Sequence, residues 1–143
     1  MHDKIKKELE RGDNISIINL VDYLIEHARI IGASDIHIDP SEKAVKVRLR
    51  IDGVLQDGFL FPKQIASEVI SRIKVLSGLR TDEHQTAQDG RFRVVFQNSE
   101  PVDIRVSIAP AYHGENAVLR LLTDRADQFD LRGLGFSEGD QDK

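Results

Sequence analysis

Hydrophobic positions along this chain follow two periods in turn. Ile17, Leu20, Val21, Leu24, Ala28 and Ile31 recur at spacings of three and four, which predicts one buried helical stripe over about Ser16–Ile31. Asn14 or Ser16 can cap its start and Gly32 can close its end. The period then drops to two. Ile36 and Ile38 alternate with Asp35, His37 and Asp39, a short strand stopped by Pro40. Val45, Val47, Leu49 and Ile51 alternate with Lys46, Arg48, Arg50 and Asp52, the pattern of a half-buried strand. Asp52-Gly53 is a hairpin signal, with Val54–Phe61 as the return strand.

Pro62 opens a second predicted helix, where its missing N–H costs least. Ile65, Val69, Ile73 and Leu76 form its core stripe, and Gly78 ends it. Thr81–Gln88 reads as a polar loop, followed by strands over Arg91–Phe96, Val102–Ile108 and Asn116–Leu122. Helix, three strands, helix, three strands predicts an α+β fold: an antiparallel sheet of about six strands with two main helices packed on one face. Residues 1–14 are mostly charged and read as a flexible lead-in or linker. The domain occupies 15–122, and 123–143 reads as an irregular exit segment ending in a polar tail.

Composition narrows the class. A chain of 143 residues suits one domain and can bury roughly two-thirds of its unfolded surface. The apolar fraction of 40% and charged fraction of 31% are those of a water-soluble fold. Without cysteine, disulfides and thiolate metal sites are excluded. No signal-like or membrane-spanning run is visible, which fits a cytoplasmic protein. The net charge of −4 argues against a general nucleic-acid binder.

Alternation places the arginines. Arg48, Arg50, Arg91, Arg93, Arg105 and Arg120 all fall opposite the apolar side of their strands. An acidic protein thus gathers guanidinium groups on one sheet face, and their planar donor forks match phosphate or carboxylate oxygens. The simpler reading is a solvated face, with the arginines paired to Asp52, Asp103 and Glu115. Val95, Val118 and Leu122 lie among them, as on a surface that meets another protein domain. Asp35, His37 and Asp39 share one strand side and could hold a divalent metal; a polar strand edge fits them better, and no metal site is expected. Glu115 is a candidate to orient Arg120, while His27 and His84 are expected to face solvent.

Five motifs stand in a characteristic order: ASDIHIDP at Ala33–Pro40, RLRIDG at Arg48–Gly53, QDGR at Gln88–Arg91, DIRVS at Asp103–Ser107 and GENAVLRLL at Gly114–Leu122. In this order the chain resembles the N-terminal domain of the type II secretion and type IV pilus assembly ATPases. The resemblance covers about Ile15 to Gly135 and implies a PAS-like sandwich. It implies that Arg105 and Arg120 reach the terminal phosphate of ATP bound to a catalytic P-loop domain. Arg48, Arg50 and Arg91 are candidates for the same interface. The GLGF string at 133–136 is similar to the family's exit toward the large domain, where Leu131 and Leu134 would pack near the nucleotide. ATP and Mg2+ are the implied cofactors of the full-length protein, with neither held tightly by this chain alone. The implied partners are the P-loop domains of the same and a neighbouring subunit in a homohexamer, and an inner-membrane platform. Such a chain would be cytoplasmic and peripheral to that membrane. The residues before QDGR, His84-Gln85-Thr86-Ala87, depart from the basic residues and proline usual there.

The sequence contains no GxxxxGK[ST] loop and no Gly-Lys pair at all, so the 143 residues by themselves are expected not to hydrolyse ATP. A stand-alone PAS-like interaction or sensory module is the alternative. A single-stranded RNA surface would also explain arginines, but it requires exposed strand aromatics, and Phe92 and Phe96 alternate onto the apolar side.

Overall fold

The computed structural model describes residues 2–96 and 100–123. In chain order these form α1 (His2–Leu9), α2 (Ile17–Ile30), β1 (Asp35–Pro40), β2 (Ala44–Ile51), β3 (Val54–Pro62), α3 (Ala66–Leu76), β4 (Gln88–Val94), β5 (Val102–Ala111) and β6 (Gly114–Thr123). All the strands join one antiparallel sheet in the order β3-β2-β1-β6-β5-β4. The fold is α+β with a six-stranded antiparallel sheet. Its first and last strands meet at the centre, so β1 pairs with both β2 and β6. Among the described residues no helix is long and apolar enough to cross a membrane.

Local chemistry explains the boundaries. The Ser16 side chain accepts from the Asn19 N–H at 3.3 Å and caps α2, and Gly32 follows the helix at φ 78°. Asp52 and Gly53 both have positive φ, 51° and 80°, as a two-residue hairpin with right-handed strands demands. Pro62 ends β3 and leads into a short 3-10 turn at Lys63–Ile65, so the helix proper starts at Ala66 rather than at the proline. β4, β5 and β6 reach beyond the alternating apolar runs because the backbone ladder continues through Gln88↔Ile108 and Ala111↔Gly114. Ladder hydrogen bonds do not depend on apolar side chains.

The expected flexible lead-in is instead helical. Ile5 is fully buried, and the buried Glu8 carboxylate accepts from the Ser16 N–H at 2.7 Å. Eight residues are too few to display a helical period, and tertiary packing supplies what propensity cannot.

One alternation set per strand forms the core with the helices. Ile36 and Ile38 of β1, Val47 and Leu49 of β2, Ile104 and Val106 of β5, and Leu119 of β6 pack with Leu20, Leu24, Val69 and Ile73. On β3 a bulge resets the pattern: Val47 pairs with Phe59 and Arg48 with Asp57, leaving Gly58 between them. A Cβ at Gly58 would lie 3.0 Å from the Val47 carbonyl oxygen, a close approach that favours glycine in the bulge. Burial of Phe61 is the consequence.

Candidate functional site

Register turns the expected arginine face into an ordered row. Leu55, Arg50, Asp35, Arg120, Arg105 and Arg91 stand directly opposite one another, one from each strand in sheet order. Arg48 and Arg93 occupy flanking rows, Arg48 opposite His37 and Asp57, and Arg93 opposite Asp103. Neighbouring strands lie about 4.8 Å apart. Arg120, Arg105 and Arg91 are therefore three adjacent like charges, an arrangement that destabilises a sheet unless an anion compensates it.

Acidic residues divide the row in two. On the β1–β2 side, Arg48 Nη2 donates to Asp39 at 2.6 Å. The buried Asp35 carboxylate accepts from Arg120 Nε at 3.0 Å and faces Arg50 Nε at 3.4 Å. On the β4–β5 side, Arg93 grips Asp103 through Nε at 2.8 Å and Nη2 at 3.3 Å. These bonds hold the Asp103 carboxyl below the usual carboxylate range against a smaller effect of burial, with the charges of Arg93 and Arg91 assisting. Arg91 and Arg105 make no hydrogen bond or ion pair among the described residues. They line an open depression of about 400 Å³ with Phe92, Arg93, Asp103, Ile104 and Leu122. Val118 and Leu122 are half-buried beside it, and Val95 is exposed. A concave surface with unpaired guanidinium groups and apolar flanks is suited to an anion carried by another macromolecule.

The family model described as "Type II/IV secretion system protein" matches residues 10–143. The chain belongs to this family. It is 43% identical over 136 residues to type II secretion system protein E of Xanthomonas campestris, covering 95% of this chain and 24% of that protein. It is 39% identical over 134 residues to the type II secretion system ATPase E of Vibrio cholerae, covering 94% and 26%. Identity to the type IV pilus assembly ATPase PilB of Myxococcus xanthus is 34%, covering 94% and 24%. The chain thus spans about a quarter of the length of the curated relatives it matches. Among solved structures, the ATPase DotB of Legionella pneumophila aligns with a TM-score of 0.50 at 17% identity over 71% of this chain and 28% of that one. The pilus retraction motor PilT with bound ADP aligns at 0.50 and 18%, over 81% and 32%. At these identities the likeness concerns the fold alone.

Within the family motifs, side chains divide between scaffold and surface. In QDGR, the Gln88 carboxamide accepts from the Arg80 N–H and donates to the Arg80 carbonyl, both at 3.0 Å, closing the loop between α3 and β4. A Cβ on Gly90 would lie 2.8 Å from the Ser77 carbonyl oxygen, so glycine admits the end of α3. Asp89 and Arg91 alternate onto the outer face, Asp89 opposite Ser107 and Arg91 opposite Arg105. In ASDIHIDP, Asp35 and Asp39 bind guanidinium groups, and no group of three His, Asp or Glu among the described residues could hold a metal ion.

Several expectations need correcting. Glu115 does not orient Arg120. It lies on the core side of β6, where the fully buried Lys74 approaches it at 2.8 Å and His84 Nδ1 at 2.9 Å. Burial pushes the Glu115 carboxyl up, but hydrogen bonds from His84 and Lys74, with the Lys74 and His84 charges, outweigh it and leave the pKa lowered. Lys74 also donates to the Glu83 carbonyl at 2.6 Å, pinning the loop. Asp35 is the carboxylate that holds Arg120. Of the acidic partners expected for the arginines, only Asp103 serves; Asp52 forms the hairpin turn and pairs with no arginine among the described residues. His84 is exposed, as expected, and its Nδ1 also reaches the buried Glu115. His27 is half-buried, with its ring centroid 5.5 Å from that of Phe59, and burial, with the charge of His2 assisting, lowers its pKa. Phe92 and Phe96 pack against the core as alternation predicted. Leu131, Leu134 and the GLGF string lie outside the described residues.

Proposed function

We propose that this chain is the arginine-donating domain of a hexameric type II secretion or type IV pilus assembly ATPase. The observation that carries the reading is the register of Arg91, Arg105 and Arg120, three guanidinium groups in direct succession, two of them unpaired among the described residues. Family membership supplies the class of protein; the row supplies the chemistry.

In this reading a P-loop domain holds ATP and Mg2+, and the arginine face of a neighbouring subunit closes over the triphosphate. Negative charge spreads over the transferred phosphoryl oxygens during hydrolysis, and a positioned guanidinium stabilises it. Arg105 and Arg120 contact the terminal phosphate. Arg91 adds field at the same seam, and the half-buried Val118 and Leu122 exclude water there. Arg50 lies farther along the row and acts through Asp35, while Arg48 is committed to Asp39. Loss of the terminal phosphate weakens the contact and lets the domain move as a rigid body on its scaffold. That motion would be passed to an inner-membrane platform to assemble a pilus or pseudopilus.

The test places this chain in the Vibrio cholerae type II secretion system ATPase E in place of its matching segment. Arg105→Ala and Arg120→Ala should each lower ATPase kcat by two or more orders of magnitude while ring assembly by gel filtration is retained. Undiminished turnover in an assembled ring would refute the reading.

A further inference from the structure

We propose that Asp35 is a positioning residue for Arg120 and so sets how the arginine row meets phosphate; this rests on the function proposed above. Asp35 stands in the middle of the row, between Arg50 on β2 and Arg120 on β6. Its side chain is 5% exposed although both arginine partners lie toward solvent, at 37% and 64%. One carboxylate oxygen accepts from Arg120 Nε at 3.0 Å. The other faces Arg50 Nε at 3.4 Å and accepts from Ser34 Oγ at 3.3 Å. Arg50 is tied at its far end, where Nη1 donates to the Gly53 carbonyl at 3.0 Å. A line of charge-assisted contacts therefore runs from the β2–β3 turn through Arg50 and Asp35 to Arg120, crossing three strands.

The atom engaged decides what this line accomplishes. Nε is the root of the guanidinium group. Gripped there, Arg120 keeps both terminal nitrogens unbonded among the described residues. An arginine held by its root presents a fixed fork of donors, which matches two oxygens of one phosphate. Without Asp35, the residue directly opposite Arg120 on the other side is Arg105, and like charges would splay the pair.

Charge alone and positioning predict opposite outcomes for Asp35→Asn. Loss of the carboxylate makes the face more positive, so nucleotide attraction rises. It also releases Arg120, so stabilisation of the transition state falls. Positioning therefore predicts a kcat effect with KM for ATP unchanged or lower.

In the same chimeric ATPase, Asp35→Asn is expected to lower kcat about tenfold, as a misplaced contact does. The double variant Asp35→Asn/Arg120→Ala should be no slower than Arg120→Ala alone, because a residue acting through Arg120 then has nothing to position. In this chain, the Arg120 Nε–H resonance should lose its shift and its protection from exchange in Asp35→Asn. If Asp35→Asn does not fold, Arg50→Ala carries the test, with a fall of about threefold at unchanged KM and a smaller change of the same resonance. An Asp35→Asn or Arg50→Ala enzyme with normal kcat beside a crippled Arg120→Ala overturns the proposal and leaves the arginine reading standing. A double variant much slower than Arg120→Ala overturns it too, since Asp35 would then act by another route. An undiminished Arg120→Ala removes the arginine reading, and this proposal with it.

Discussion

The β1–β2–β3 half of the arginine face and the β6–β5–β4 half differ in where their carboxylates stand. On the first, Asp39 answers Arg48 diagonally and Asp35 answers Arg50 directly across the strands, so each arginine there has a carboxylate of its own. On the second, Asp103 answers Arg93 in a flanking row, and the central row runs Arg120, Arg105, Arg91 without an acid between them. The first half is what an isolated sheet needs to be stable. The second half keeps the repulsion of three adjacent guanidinium groups, which the phosphate contact proposed above would relieve. Asp35 sits on the border and belongs to both, since its two oxygens reach one arginine from each half.

The comparison is broken most severely at Arg105. Arg105→Ala should cost on the order of a thousandfold in kcat of the chimeric ATPase and leave the thermal midpoint within about 2 °C. A midpoint that drops sharply would instead make Arg105 a structural residue.

Next comes the buried pair beneath the sheet, which shows what an indispensable ion pair looks like in this fold. Glu115→Gln strands the fully buried Lys74 and should destabilise the domain by about 3 kcal/mol, lowering the midpoint by roughly 10 °C. The pH dependence has a definite sign. The folded Glu115 pKa lies below its ordinary 4.5, so its stabilisation is complete above that value and disappears as pH falls through the lower folded value. Denaturant melts from pH about 5 to about 3 should therefore lose more stability in the natural chain than in Glu115→Gln. Parallel acid limbs would show that Glu115 is not the group responsible.

A third change repeats the Asp35→Asn chemistry two pleat repeats along the same strand. Asp39→Asn removes the carboxylate from a half-exposed pair and should cost about 1 kcal/mol or less, with kcat within about twofold. A tenfold loss of activity there would erase the distinction between the two halves. The smallest effect is expected at Arg91. Removing one of three adjacent like charges should stabilise the isolated chain by about half a kcal/mol or less, and added salt should shrink the gain. Destabilisation by Arg91→Ala would mean that the row is already neutralised within the chain.

Much of this architecture was legible from residue order. Six strands, the α2 stripe with its Ser16 cap and the Asp52-Gly53 turn are all written in local periodicity. So is the face on which each arginine lies, because successive strand side chains point to opposite sides. Helix α1 was not legible, since Ile5 and Leu9 alone are too few positions to establish a period and the helix is fixed by packing on α2 and the core. The partner of Arg120 was missed for a related reason. Asp35 could be placed on the arginine face by alternation, but nothing local tells that β1 lies between β2 and β6.

The amino-acid sequence by itself determined which side chains face away from the core, because L-residues in an extended backbone leave no other choice. Only the tertiary structure decided which of them are neighbours. Hydrogen bonding between strands 85 residues apart set Asp35 against Arg120, and the same ladders aligned Arg105 and Arg91 beside it. Order along a strand is covalent. Order across a sheet is a result of non-local pairing, and it is the crosswise order that makes these arginines a row.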